Sequence, residues 1–218
     1  MLFRSTIFDK EGPRLAALLF QPGFDDVRAE VRQASVTAAR ELFRMLKAGR
    51  FAVRSVEKTF NLKISSMKIG VEGRPDLVLE SPDAVIDFKR GGVNYRRDEL
   101  ASGAGLQLAV YGHLIRGKET APFPPVAYLM LRAGHLITVD PKAFPDAHII
   151  EGPSPKETWN AVKESFNQIW EELGDGKVNA CGNDPDGPQE SELSDGRIFL
   201  QPCGFCDLSI LCGQAFSS

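Results

Sequence analysis

Gly73-Arg74-Pro75-Asp76-Leu77-Val78-Leu79 and, a few residues on, Val85-Ile86-Asp87-Phe88-Lys89 read as two strands joined by a tight turn at Ser81-Pro82-Asp83. Side chains alternate sides along a strand, so Asp87 and Lys89 share a face. Asp76, on the adjoining strand, can reach that face too. Asp87 sits inside an apolar run, where a lone carboxylate is costly unless a partner or a cation compensates it. Two carboxylates can hold a hard divalent cation through oxygen. A lysine beside them can steady an attacking water or a phosphate. This is the minimal equipment for metal-assisted hydrolysis of a phosphodiester. The alternative is a turn-terminating Asp76 and a surface Asp87–Lys89 pair of little energetic weight.

The elements around this pair extend the pattern. Val27, Val31, Ala34, Ala38, Leu42, Met45 and Leu46 recur at helical spacing over 24–48, and Gly49 is placed to end that helix. Residues 51–64 alternate as a strand, Ser65-Ser66 turns, and Met67, Ile69 and Val71 alternate into Gly73. The middle of the chain thus reads as an antiparallel meander. One helix is expected over 98–116, weakened in its first half by Gly103 and Gly105. A short apolar strand over 126–131, a weaker one over 135–139 and a final helix over 156–173 follow. The segment 175–197 is rich in Gly, Asp, Pro, Asn and Ser and reads as loosely structured. Helices and strands in this order predict an α/β fold on a mixed sheet.

Composition sets limits. A formal net charge of −3 argues against a protein that coats nucleic acid by bulk charge. It leaves room for local clusters, and Lys89-Arg90 and Arg96-Arg97 form one near the aspartates, each singly read as a solvated surface charge. No apolar run is long enough to cross a bilayer, and the first residues lack a signal-peptide core, so no membrane partner and a cytoplasmic location are expected.

Gln107 and Tyr111 lie four residues apart on one helix face, where they can hydrogen-bond to a phosphate or to water. Taken alone they read equally as an exposed helix former and a core aromatic. In order, Gly-x-x-Asp-Leu-Val, Ile-Asp-x-Lys and Gln-x-x-x-Tyr resemble the PD-(D/E)XK nuclease superfamily. Within it, the chain resembles the RecB-type domain of bacterial recombination nucleases and CRISPR adaptation nucleases. The resemblance implies a restriction-endonuclease-like mixed sheet flanked by helices. It divides the chain into an N-terminal helical segment (1–50), a nuclease core (51–174) and a cysteine-bearing tail (175–218). It implies Asp76, Asp87 and the Phe88 backbone carbonyl as ligands to Mg or Mn. Lys89 is implied as the catalytic cation, with Gln107 and Tyr111 as the secondary motif. The implied reaction is DNA cleavage, of exonuclease type, in recombination, repair or CRISPR-type processing. The family usually adds a histidine or glutamate from the helix before the meander. This chain offers Glu30 and Glu41 there, and no histidine before His113.

Cys203-x2-Cys206-x5-Cys212, with Cys181 upstream, has the spacing of a metal site rather than of disulfides. Four thiolates suit zinc or an iron–sulfur cluster. The tail also resembles the [4Fe–4S] staple of some RecB-type nucleases, which draws one cysteine from upstream of the core. No cysteine lies there in this sequence, so either Cys181 is the fourth ligand or the chain is a piece of a longer one. Buried thiols are the alternative. The sequence holds no phosphate-loop motif, so a helicase or other recombination subunit would be a partner rather than part of this chain. The competing functions are a non-catalytic DNA-binding scaffold and a zinc-ribbon interaction protein.

Overall fold

The structure, a computed structural model, describes residues 3–64 and 67–176. Helix α1 (Phe3–Leu15) and a 3-10 turn (Ala17–Phe20) lead into the long helix α2 (Asp25–Ala48). Asp25 and Asp26 in its first turn and Lys47 in its last complement the helix dipole. Ala38 and Met45, two turns apart, are its buried positions. Strands β1 (Ala52–Val56), β2 (Phe60–Ile64), β3 (Ile69–Gly73), β4 (Leu77–Glu80) and β5 (Ala84–Lys89) follow. Then come α3 (Val93–Ala101), α4 (Leu106–Arg116), β6 (Val126–Met130), β7 (His135–Thr138), β8 (His148–Ile149) and α5 (Pro155–Gly174). Ser154 and Glu157 close a capping box at the start of α5, with Pro155 in its first turn.

Six strands form one sheet in the order β1-β4-β5-β6-β7-β8. The pairs β5–β6 and β7–β8 are parallel and the rest antiparallel. The crossover from β5 to β6 runs through α3 and α4. Period-two alternation sorts the strand side chains between two layers. Val78, Val85, Val126 and Tyr128 pack with Leu100, Leu108 and Ile115 of α3 and α4. Leu77, Leu79, Ile86 and Leu129 pack on the other face with Met45 of α2 and Phe144. Strands β4 to β6 are therefore apolar on both faces, and each buried aliphatic side chain contributes roughly 1.5–3 kcal/mol.

Four sequence expectations are corrected. The run 51–64 is two strands in two sheets, because the backbone turns at Glu57, whose φ is 46°. The hairpin β2–β3 stands apart as its own sheet against α4 and α5, so the expected meander is split into two separate antiparallel hairpins, β2–β3 and β4–β5. Asp76 lies in the link before β4, not within the strand. The single helix over 98–116 is two helices, broken where Gly103 takes φ +77°, a conformation strained for other residues. Helix α1 falls within the N-terminal segment expected to be helical, and strand β8 was not foreseen.

Helix α4 meets α5 through His113, which stacks on Trp159 with ring centroids 4.1 Å apart. Both are buried, and neither His113 Nδ1 nor Trp159 Nε1 has a hydrogen-bond partner among the described residues. Burial, then the charge of Arg116, lowers the His113 pKa to about 4. The folded protein thus holds this imidazole neutral, while the unfolded chain protonates it near its ordinary value. The stability it contributes is fully present above pH 6.5 and is lost as pH falls towards about 4. The loss is on the order of 3 kcal/mol. Urea titrations are expected to show the unfolding midpoint falling across that window, and His113→Phe is expected to flatten much of the fall.

Candidate active site

The register of β4 and β5 brings the aspartates together. Leu77 lies opposite Ile86, Val78 opposite Val85 and Leu79 opposite Ala84. One further step of that register sets Asp76 across from Asp87. Opposed residues of antiparallel strands share a face, here the one covered by α3 and α4. In keeping with this, Asp87 feels the negative charge of Asp76.

The link between the strands explains the proline. Val85 N–H donates to Pro125, and Lys89 C=O accepts from Leu131, so these odd residues bond towards β6. Phe88, between them in the alternation, turns its N–H and C=O towards β4. Its opposite number there is Pro75, which has no N–H to give. Asp76 Oδ2 accepts the Phe88 N–H instead, at 2.5 Å. Pro75 can therefore offer the Phe88 carbonyl no ladder hydrogen bond.

Around Asp87 the contacts close into a ring. Asp87 is 3 % exposed. Lys89 Nζ lies 2.7 Å from its Oδ2, an ion-pair distance, but off the hydrogen-bonding directions, so that buried oxygen has no directed hydrogen bond. Gln107 joins the others: its Oε1 accepts from Lys89 Nζ at 2.6 Å. Its Nε2 donates to Asp87 Oδ1 at 3.3 Å and to the Tyr111 hydroxyl at 3.0 Å. Helix α4 approaches closely because Gly73 has no side chain. A Cβ there would meet Leu114 Cδ1 at 2.6 Å and Tyr111 Cε1 at 3.0 Å.

Residues 6–213 match the family model described as the PD-(D/E)XK nuclease superfamily. The chain belongs to this superfamily. Members are typically metal-dependent nucleases, and the mixed sheet flanked by helices agrees with the restriction-endonuclease-like fold. No curated protein matches the chain. Among solved structures, the chain is similar to one described as the crystal structure of SSO0001. The two share 12 % identity over 96 % of this chain and 80 % of the other, with a TM-score of 0.31, a loose superposition.

For a PD-(D/E)XK nuclease the donor set fits a hard divalent cation. Asp87 Oδ2 is a buried oxygen facing the Lys89 ammonium, Asp76 Oδ2 accepts the Phe88 N–H, and the Phe88 carbonyl lies opposite Pro75, which has no N–H. All are oxygens, the ligand type that Mg and Mn take, and Mg keeps several waters rather than demanding a full protein cage. No group of three His, Cys, Asp or Glu that could hold a metal ion occurs among the described residues, so the protein would offer two carboxylates and water would complete the shell. Burial raises the Asp87 pKa above the usual carboxylate range. The close Lys89 ammonium opposes that shift, Asp76 adds to it, and Arg96 opposes it.

Glu30 and Glu41 are not brought to this point. Helix α2 covers the opposite sheet face, where Glu30 pairs with Arg132 and Glu41 with Arg44. Cys181, Cys203, Cys206 and Cys212 lie outside the described residues. Three neighbours escaped the sequence reading. Tyr128, fully buried on β6, sits beside Asp87 in the parallel register. Its hydroxyl donates to Glu99 at 3.3 Å, and burial together with Glu99 raises its pKa, so it stays a neutral phenol. Arg96 is not a solvated surface charge: it pairs with Glu99 at 2.5 Å and lies over the Tyr128 ring at 5.4 Å. The Arg96-x-x-Glu99 spacing was the available signal.

A cation held here is expected to stabilise the fold. Manganese at a hundredfold above its dissociation constant should add about 2.7 kcal/mol. Thermal melts should show that gain for the wild type and lose it in Asp87→Asn.

Proposed function

We propose that this chain cleaves DNA phosphodiester bonds with Mg or Mn, as a RecB-type exonuclease module in recombination, repair or CRISPR-type processing. The observation that carries the reading is the convergence of Asp76, Asp87, Lys89 and Gln107 on one sheet face, with a buried carboxylate oxygen lacking a directed partner. Asp76, Asp87 and the Phe88 carbonyl would hold the cation. When bound, it supplies Lewis acidity towards a phosphoryl oxygen and the attacking water. Asp87 accepts charge from whichever cation faces it. Lys89, held by Gln107 at 17 % side-chain exposure, keeps its ammonium at the site's edge, where negative charge develops on phosphate oxygens. Gln107 fixes that ammonium, and Tyr111 fixes Gln107.

One observation favours a second reading, a DNA-binding scaffold without catalysis. Both glutamates available on α2 are tied to arginines elsewhere, so the cation would have two carboxylates at most from the described residues. Labelled DNA with manganese separates the two. Cleavage by the wild type, with at least a hundredfold loss in Asp87→Ala and Lys89→Ala, is the expected result. Equal cleavage by all three proteins would mean a contaminant, and binding without cleavage would favour the scaffold.

The cysteine tail is proposed as a structural [4Fe–4S] staple, with zinc as the alternative, and a helicase or other recombination subunit as the partner that supplies a motor. Protein purified without oxygen should be brown, and Cys206→Ser should bleach it. A colourless protein containing zinc would remove the cluster and keep the metal staple.

A further inference from the structure

Arg96 is braced on both flanks. Its guanidinium lies 4.9 Å from the Tyr95 ring centroid and 5.4 Å from that of Tyr128. On the Tyr128 ring, Lys89 Nζ is a second cation at 5.5 Å. A chain of ring–cation contacts thus runs from Tyr95 on the surface to Lys89 beside Asp87. Tyr95 is 65 % exposed, unusual for a ring that could turn inward. Among the described residues, Arg96 hydrogen-bonds through Nη1 alone, to Glu99, and its side chain is 24 % exposed. Arg90 and Arg97, both exposed, lie in the same segment.

An exposed ring beside a guanidinium with unused N–H groups matches one nucleotide: a π-face for the base and a fork for the phosphate. Base pairing would deny the ring its partner, so the match is to an unpaired base. We propose that Tyr95 and Arg96 form a subsite for one nucleotide of single-stranded DNA next to the Asp87–Lys89 centre, Tyr95 stacking on the base and Arg96 holding its phosphate. The proposal deepens the nuclease reading and rests on it for the identity of the ligand. Glu99 and Tyr128 act as positioning residues, since they hold the guanidinium in place.

Binding in metal-free buffer tests this apart from catalysis. The probes are a fluorescein-labelled oligothymidylate, a duplex of equal length and a strand of abasic sugar-phosphates, read by anisotropy. Tyr95→Ala is expected to weaken oligothymidylate binding about tenfold, with Tyr95→Phe within about twofold of wild type. On the duplex and the abasic strand, Tyr95→Ala should match wild type. Arg96→Gln should lower the salt slope on every single strand by about 0.7, the share of one phosphate contact. Unchanged oligothymidylate binding by Tyr95→Ala, or an equal loss on the abasic strand or the duplex, would overturn the subsite. Cleavage with no dependence on Tyr95 would overturn it alone. Tyr95-dependent binding by a wild type that cuts no nucleic acid would overturn the hydrolase reading and support the subsite.

Discussion

Asp87 carries a carboxylate into a strand that is otherwise apolar on both faces, and its surroundings are organised around the cost of that charge. An unpaired ionised group in such a place would neutralise or unfold its neighbourhood. Lys89 compensates it from two residues along the same strand. Gln107 occupies the other carboxylate oxygen and fixes the ammonium at once. The compensation is incomplete: one oxygen keeps an ion-pair contact with no directed hydrogen bond, and the carboxyl still holds its proton more tightly than usual. That residue of unsatisfied polarity is what distinguishes this cluster from an ordinary buried ion pair.

Strand pairing supplies the rest. The register that opposes Asp76 to Asp87 also opposes Pro75 to Phe88. A proline at that place removes one ladder bond from the sheet, and the following aspartate restores half of it through its side chain. Two adjacent residues thus end the β4–β5 ladder and withhold one donor from the Phe88 carbonyl. The geometry follows from the missing N–H of proline and the alternation of a strand, without any special backbone strain.

Much of this was legible in the sequence, for identifiable reasons. Alternation in 84–89 fixed the shared face of Asp87 and Lys89, and helical spacing fixed α2 and the common side of Gln107 and Tyr111. What misled were signals that stay local. Residues 51–64 alternate without interruption, yet the chain changes sheets at Glu57, and period two says nothing about which sheet a strand joins. Helix periodicity runs across Gly103, although a positive φ there divides α3 from α4. Arg96 looked like one of several surface charges because the ring it lies over, Tyr128, is over thirty positions away. Contacts between distant segments decide burial, and no window of sequence contains them.

The β2–β3 hairpin is an excursion between β1 and β4, which are neighbours in the main sheet. Its base is pinned where Arg74 Nε donates to the Glu57 carbonyl at 2.8 Å and Glu57 N–H donates to the Asp76 carbonyl at 3.0 Å. Its far end, through Ile64 and Met67, packs with Ala109 of α4 and Trp159 of α5, and its base, at Gly73, lies against Leu114 and Tyr111. Viewed mechanically, it is a lever with its fulcrum at the Glu57–Arg74 tie, just before the first carboxylate, and its arm against the helix that steadies the lysine. Trimming or grafting this hairpin would therefore alter both walls of the cleft together, however far the altered tip stood from the reacting atoms.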